Sequence, residues 1–184
     1  MIFTDLQSNL PKPEQDEGCD HLLNSALPEI SLPTQDGNLL KLNRLDTFRL
    51  VIFCYPMTGR PDRSLPENWN SIPGATGCTT QNSSFRDNYD EFIKLNSIPI
   101  GISSQSIEDI KEMTLRLKIP YDVLSDKQLK FTNAMNLPTF TINHDIFIKR
   151  LTIIVEKNII KKFFYPIFPV NKHIVDLINW LKDN

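Results

Sequence analysis

Cysteine, histidine and glycine are all scarce in this chain: its 184 residues hold three cysteines, three histidines and six glycines. Three cysteines, an odd number with no Cys-x-x-Cys, do not make a disulfide framework, and a chain of this length buries a core without one. His21, His144 and His173 stand far apart in sequence, so no metal and no cofactor is expected. Charge of either sign is also short of excess. With 20 basic and 22 acidic side chains the net charge is −2, which argues against nucleic acid or an anionic membrane surface as a partner. No stretch approaches the roughly 18 apolar residues of a membrane-spanning helix. The first residues, Met1-Ile-Phe-Thr-Asp-Leu-Gln7, have neither the basic nor the apolar region of a secretory signal. Together with unpaired thiols, this gives a reducing, cytoplasmic location as the expectation.

What is present is the composition of one ordinary globular domain, 40% hydrophobic and 23% charged. Residues 1–26 are polar and proline-bearing, with an acidic Glu14–Asp20 run, and read as an N-terminal arm on a domain spanning 27–184. Two short apolar segments around Asp36-Gly37 predict a β-hairpin. Leu50–Tyr55 is a continuous apolar run, as in a buried parallel strand. A long loop from Pro56 to Gly77 follows, and loops of that size in a compact domain are commonly functional.

Beyond it, Phe85, Tyr89, Phe92 and Ile93 share one helical face. Ile98–Ile102 predicts a strand. Ser106-Ile-Glu-Asp109 resembles a capping box opening a helix with Ile107, Ile110, Thr114 and Leu117 on one side. Tyr121–Ser125 reads as a strand and Lys127–Met135 as a helix. Thr139–Asn143 and Lys149–Val155 read as strands around an Asn143-His-Asp turn, and Ile159–Phe164 as another. Asn171 can cap a last helix carrying Ile174, Leu177, Ile178 and Leu181. The order predicts an α/β domain, a central sheet with helices on both faces and an N-terminal hairpin. The Phe163–Pro169 cluster suits either core or a homodimer contact.

The chemistry centres on Ile72-Pro-Gly-Ala-Thr-Gly-Cys78-Thr-Thr-Gln81, where a glycine-bearing loop gives way to a helix. Helix starts offer unpaired N–H groups and the positive end of the macrodipole, and both favour a thiolate. An unperturbed cysteine, with pKa about 8.5, is only about 3% thiolate at pH 7. The same loop superficially suggests phosphate binding, but the spacing is too short and cysteine stands where a P-loop needs lysine.

Gly77-Cys78-Thr79-x-Gln81 with Phe85-Arg86-Asp87, after a strand ending in Tyr55-Pro56, resembles the peroxiredoxins of the alkyl hydroperoxide reductase/thiol-specific antioxidant family. The similarity is to the Q-type, bacterioferritin-comigratory branch and spans roughly residues 25–182. A subset of bacterial and fungal redoxin-like proteins is similar in more detail, through Tyr55–Pro61, Leu65-Pro66, Trp69 and Ile72–Cys78. The resemblance implies a thioredoxin-like fold with a mixed central sheet. It implies a peroxidatic Cys78, whose thiolate takes one peroxide oxygen and becomes a sulfenic acid. It also implies a partner for that thiolate: Arg150, just before Thr152-Ile-Ile-Val155, matches the family's strand arginine, whose guanidinium stabilises thiolate and leaving oxygen.

The chain departs from the family pattern in two places. The family has threonine three residues before the cysteine and proline seven before; here those are Ala75 and Ser71, with Thr76 and Pro73 nearby. Thr76 therefore either orients the peroxide through its hydroxyl, leaves that to the N–H groups of Gly77 and Cys78, or serves only as a helix cap. Many Q-type members carry a resolving cysteine five residues after the first, where this chain has Ser83. The expectation is a one-cysteine peroxidase whose partners are a peroxide and an external thiol: thioredoxin, glutaredoxin or glutathione. Two other cysteines stand open as resolving groups. Cys54 ends the buried strand and needs a Cα spacing to Cys78 below about 7 Å; Cys19, on a mobile arm, is otherwise an exposed bystander. Trp69 and Tyr55 suit either a peroxide pocket or packing, and His173 reads as a surface helix residue. The competing reading is a redox-sensing or interaction protein of the same fold that does not turn over.

Overall fold

A computed structural model describes residues 10–45 and 47–184, so the first nine positions of the predicted arm lie outside the described residues. The arm that is described makes a 3-10 turn at Asp20–Leu22 and ends in a bridge from Ala26 to Ile159. β1 (Ser31–Pro33) and β2 (Leu39–Lys41) pair antiparallel around Asp36-Gly37, where Gly37 takes the left-handed backbone (φ +83°) the turn requires.

The central sheet starts with β3 (Arg49–Cys54), whose six residues are all buried, as its unbroken apolar run predicts. After the long loop come α1 (Cys78–Asp87), α2 (Tyr89–Lys94), β4 (Ser97–Ser103) and α3 (Ile107–Leu117). The Ser106 hydroxyl caps α3 by accepting the Asp109 N–H at 3.2 Å. β5 (Val123–Ser125) and α4 (Lys130–Ala134) lead to β6 (Thr139–Ile142), β7 (Asp145–Ile148), β8 (Leu151–Glu156), β9 (Ile159–Phe164) and α5 (Val170–Asp183). The five-stranded sheet runs β5-β4-β3-β8-β9. β3 is parallel to β4 and antiparallel to β8, so the sheet is mixed, and the thioredoxin-like α/β expectation holds.

Because side chains alternate along a strand, β3 divides the core in two. Leu50, Ile52 and Cys54 face Cys19, Leu22, Leu32, Phe131 and Met135, so the arm, the hairpin and α4 cover this side. Val51, Phe53 and Tyr55 face Phe85, Phe92, Ile110, Met113 and Leu177, contributed by α1, α2, α3 and α5. A smaller cluster of Trp69, Ala75 and Phe147, with Phe140 against it, joins the long loop to β6–β7.

Five expectations are corrected. The helical face beginning at Cys78 is split between α1 and α2, with Asn88 at the junction; Phe85 and Phe92 are buried while Ile93 is exposed. On α3, Met113 rather than Ile107 joins Ile110 and Thr114 in the buried stripe. The Asn143-His144 turn joins β6 to a separate strand, β7, in its own two-stranded sheet, and Lys149-Arg150 then breaks the chain before β8. Pro169, not Asn171, stands at the N-cap of α5. Cys19 is not exposed: it is fully buried in the core beside Leu22. The Phe163–Pro169 cluster contributes to the core through Ile167, which is buried, and through Phe163 and Phe164 on the two faces of the sheet.

Candidate active site

The long loop is clamped before it delivers its last residues. The Thr58 N–H donates to the buried Gln105 Oε1 at 2.9 Å, and Gln105 Nε2 donates back to the Thr58 carbonyl at 3.2 Å. Arg60 reaches Asp109 of α3 at 3.0 Å. Trp69 packs edge-on against Phe147, ring centroids 5.2 Å apart. Trp69 therefore ties the loop to β6–β7, and Tyr55 is fully buried in the core with Phe53 and Phe85; both take the packing role.

Gly77 then ends the loop with a left-handed backbone (φ +95°) as the N-cap of α1. No side chain caps this helix, which removes the reading of Thr76 as a cap. The first N–H groups of α1, Cys78 included, lack intrahelical partners by position. Cys78 is 3% exposed and Arg150 is 3% exposed. The Arg150 Nη2 lies 3.1 Å from Cys78 Sγ and also donates to the carbonyls of Thr76 (2.8 Å) and Gly74 (3.3 Å). Its Nη1 donates to Gln81 Oε1, one turn along α1. The Sγ meets the Ala75 carbonyl at 3.5 Å.

Arg150 has no carboxylate partner among the described residues; its acceptors are neutral oxygens and one sulfur. A buried cation without a counter-charge is costly, and the nearest side chain able to carry one is that of Cys78. Charge on the sulfur and charge on the guanidinium each make the other cheaper to bury. Neighbours keep further charge away. Thr152 Oγ1 and His173 Nε2 are 2.8 Å apart and buried. Burial, and then the charge of Arg150, pull the imidazole pKa down to about 3, so His173 is a neutral inner-face residue of α5 and not a surface one. On the other side, Asn82 Nδ2 donates to the Cys78 carbonyl at 3.0 Å and Tyr121 Oη to the Asn82 carbonyl at 2.8 Å.

Thr76 is brought to the site through its carbonyl, while the family's threonine position, Ala75, is fully buried. Two contributors escaped the sequence reading: the Gln81 amide, quoted only as part of a motif, and the Gly74 carbonyl. Both hold Arg150, and the helical spacing Cys78 to Gln81 was the available signal. The other thiols are kept apart. Cys54 lies on the opposite face of the sheet from Cys78, so a Cys54–Cys78 disulfide is excluded in this fold. Burial pushes the Cys54 thiol pKa well up, helped by Asp126. Burial, then Asp16 and Asp20, push that of Cys19 up to about 12.

Comparison with known proteins agrees with this fold. The chain is 29% identical over 162 residues to peroxiredoxin Q, chloroplastic, of Oryza sativa subsp. japonica, covering 86% of this chain and 65% of that protein. Against the Arabidopsis thaliana protein of the same name it is 28% identical over 161 residues, covering 85% and 65%. The chain thus spans about 65% of the length of these curated relatives. Peroxidoxin BcpB from Mycobacterium tuberculosis superposes with a TM-score of 0.72 at 20% identity, over 88% of this chain and 96% of that one. Xanthomonas campestris peroxiredoxin Q does so with a TM-score of 0.68 at 17% identity, over 95% and 98%. The match to the AhpC/TSA family model covers residues 70–163, just over half of the chain, from just after Trp69 through Cys78 and Arg150 into β9, and the chain belongs to the AhpC/TSA family.

Proposed function

We propose that the protein is a thiol-dependent peroxidase acting on hydrogen peroxide or organic hydroperoxides. The observation that carries this reading is the buried Arg150 guanidinium 3.1 Å from Cys78 Sγ with no carboxylate among the described residues to neutralise it. The Cys78 thiolate attacks the terminal peroxide oxygen, the S–O bond forms as the O–O bond breaks, and two electrons pass from sulfur to the leaving oxygen. That oxygen takes a proton and departs as water or an alcohol. Arg150 stabilises the charge as it moves from sulfur to oxygen. Thr76 fixes the guanidinium through its carbonyl, and the first-turn N–H of Cys78 is the donor left to orient the peroxide.

A one-cysteine cycle follows from Ser83 and from the position of the other thiols. The sulfenic acid condenses with an external thiol, releasing water, and a second thiol frees Cys78 as the external disulfide forms. Thioredoxin, glutaredoxin and glutathione are the proposed reductants. A reducing, cytoplasmic setting is the proposed location, supported by three free cysteines.

The test is peroxide consumption with dithiothreitol or glutathione, followed by intact-mass analysis. Cys78→Ser is expected to abolish turnover, while Cys19→Ser and Cys54→Ser retain it. Peroxide-treated wild type is expected to carry added oxygen or a mixed disulfide at Cys78 and no internal disulfide. Undiminished turnover in Cys78→Ser overturns the proposal. So does a Cys78 that oxidises once and is never regenerated, which is the behaviour of a sensor.

A further inference from the structure

The arm reaches the thiol site. Pro13 lies against Gly74, where an added Cβ would stand 3.8 Å from the proline Cβ. Asp16 then fastens the arm: its Oδ2 accepts from Lys149 Nζ at 3.2 Å and from Tyr165 Oη at 3.0 Å, and Lys149 is the residue preceding Arg150. The arm, the 72–74 turn and the 165–167 segment enclose a cleft of about 200 Å³. Arg150 and Gly74 line it, and the Arg150 nitrogen that bonds the Gly74 carbonyl is the one beside Sγ.

The cleft is far larger than hydrogen peroxide needs, since apolar cavities of about 150 Å³ already hold a benzene ring. Its walls are mainly apolar, from Pro13, Ile72, Phe140, Pro166 and Ile167. Four charged residues line it: Glu14, Asp16, Lys149 and Arg150. Asp16 is paired with Lys149 and, on the peroxidase reading, Arg150 faces the sulfur that carries the reacting charge, which leaves Glu14 as the lining charge without an ion pair among the described residues. Resting on the peroxidase reading above, we propose that residues 13–16 form a selective wall of the site. The apolar surfaces hold the body of an uncharged organic hydroperoxide, and Glu14 turns away hydroperoxides that carry a carboxylate. The chemistry is unchanged: the thiolate takes the terminal oxygen, the alkoxide takes a proton and leaves as the alcohol, and the external thiol restores Cys78.

The latch is only moderately strong, because Asp16 and Lys149 are 41% and 38% exposed and such pairs contribute little. A single substitution can therefore open it without removing the arm. The experiment compares kcat/KM for hydrogen peroxide, cumene hydroperoxide and the para-carboxylate of cumene hydroperoxide, in full-length wild type, Glu14→Lys and Asp16→Ala. Ratios between substrates on one enzyme cancel any loss of folded protein. Wild type is expected to favour cumene hydroperoxide over its carboxylate by about fivefold, the order of one partly screened charge. Glu14→Lys is expected to erase that preference. Asp16→Ala is expected to raise KM for cumene hydroperoxide several-fold and lower its ratio to hydrogen peroxide. Substrate ratios identical in all three proteins overturn the wall while leaving the peroxidase reading in place. A wild type that consumes none of the three peroxides overturns both.

Discussion

At the scale of single residues, the site depends on one guanidinium serving four acceptors. A planar fork can face Gly74, Thr76 and Cys78 Sγ from one nitrogen and Gln81 from the other; an ammonium on a flexible stem cannot. Arg150→Lys keeps the positive charge and the burial problem but gives up that geometry. Losing one well-placed donor to a developing anion commonly costs 10²–10³ in rate. The expected outcome is a fall of about 10²-fold in the single-turnover rate of Cys78 oxidation, followed by stopped flow at pH 7. A rate within about twofold of wild type would mean that charge alone, not the fork, activates the sulfur. The distinction matters because Gln81 and the two loop carbonyls have a function only if orientation counts.

At the scale of elements, Gly77 is where loop, α1 and α5 meet. Its φ of +95° is a conformation that costs an L side chain roughly 1–2 kcal/mol. A Cβ there would also stand 3.2 Å from Val170 Cγ2, at the first turn of α5, with Arg150 Nη2 at 4.0 Å. Gly77→Ala is therefore expected to destabilise the fold by about 1–2 kcal/mol in urea unfolding and to slow Cys78 oxidation, because the start of α1 must shift against Arg150. Adding Val170→Ala should recover the crowding but not the backbone cost. The same local logic explains which elements were legible in the sequence. The hairpin at Asp36-Gly37, the Ser106 cap and the apolar run of β3 obey rules contained within a few residues, and all three formed as read. The α1/α2 break at Asn88 and the division of β7 from β8 obey packing instead. Phe140 and Phe147 must reach Trp69, and no periodicity within residues 139–155 records that. Cys78 was legible as a helix-start cysteine, while Arg150 was legible only through resemblance, since 72 positions separate it from the sulfur it touches. His173 escaped because its hydrogen-bond partner is Thr152 of β8 and its ring packs on Phe164 of β9, both on other elements.

At the scale of the molecule, the sheet is a partition. It keeps Cys19 and Cys54 on one face and Cys78 on the other, so the reactive thiol shares its face with helices, aromatic rings and one neutral histidine. That histidine couples the site to global stability. His173 has a folded-state pKa near 3, lowered by burial and then by Arg150, against about 6.5 for a histidine in the unfolded chain. Between these values the unfolded chain binds a proton that the folded protein refuses, so stability rises with pH across the window and is fully present above about 6.5. It is lost as pH falls toward 3, with a slope of at most about 1.4 kcal/mol per pH unit from this one group. His173→Gln keeps a side chain that can hydrogen-bond Thr152 but cannot titrate. Between pH 7.5 and pH 5, wild type is expected to lose about 2 kcal/mol more of its unfolding free energy than His173→Gln, read from urea midpoints at the two values. Other titrating groups are common to both proteins and cancel in the difference. Equal losses would mean that His173 takes up its proton without unfolding, placing a second cation beside Arg150, and the account of a single unneutralised charge facing Cys78 would fail with it.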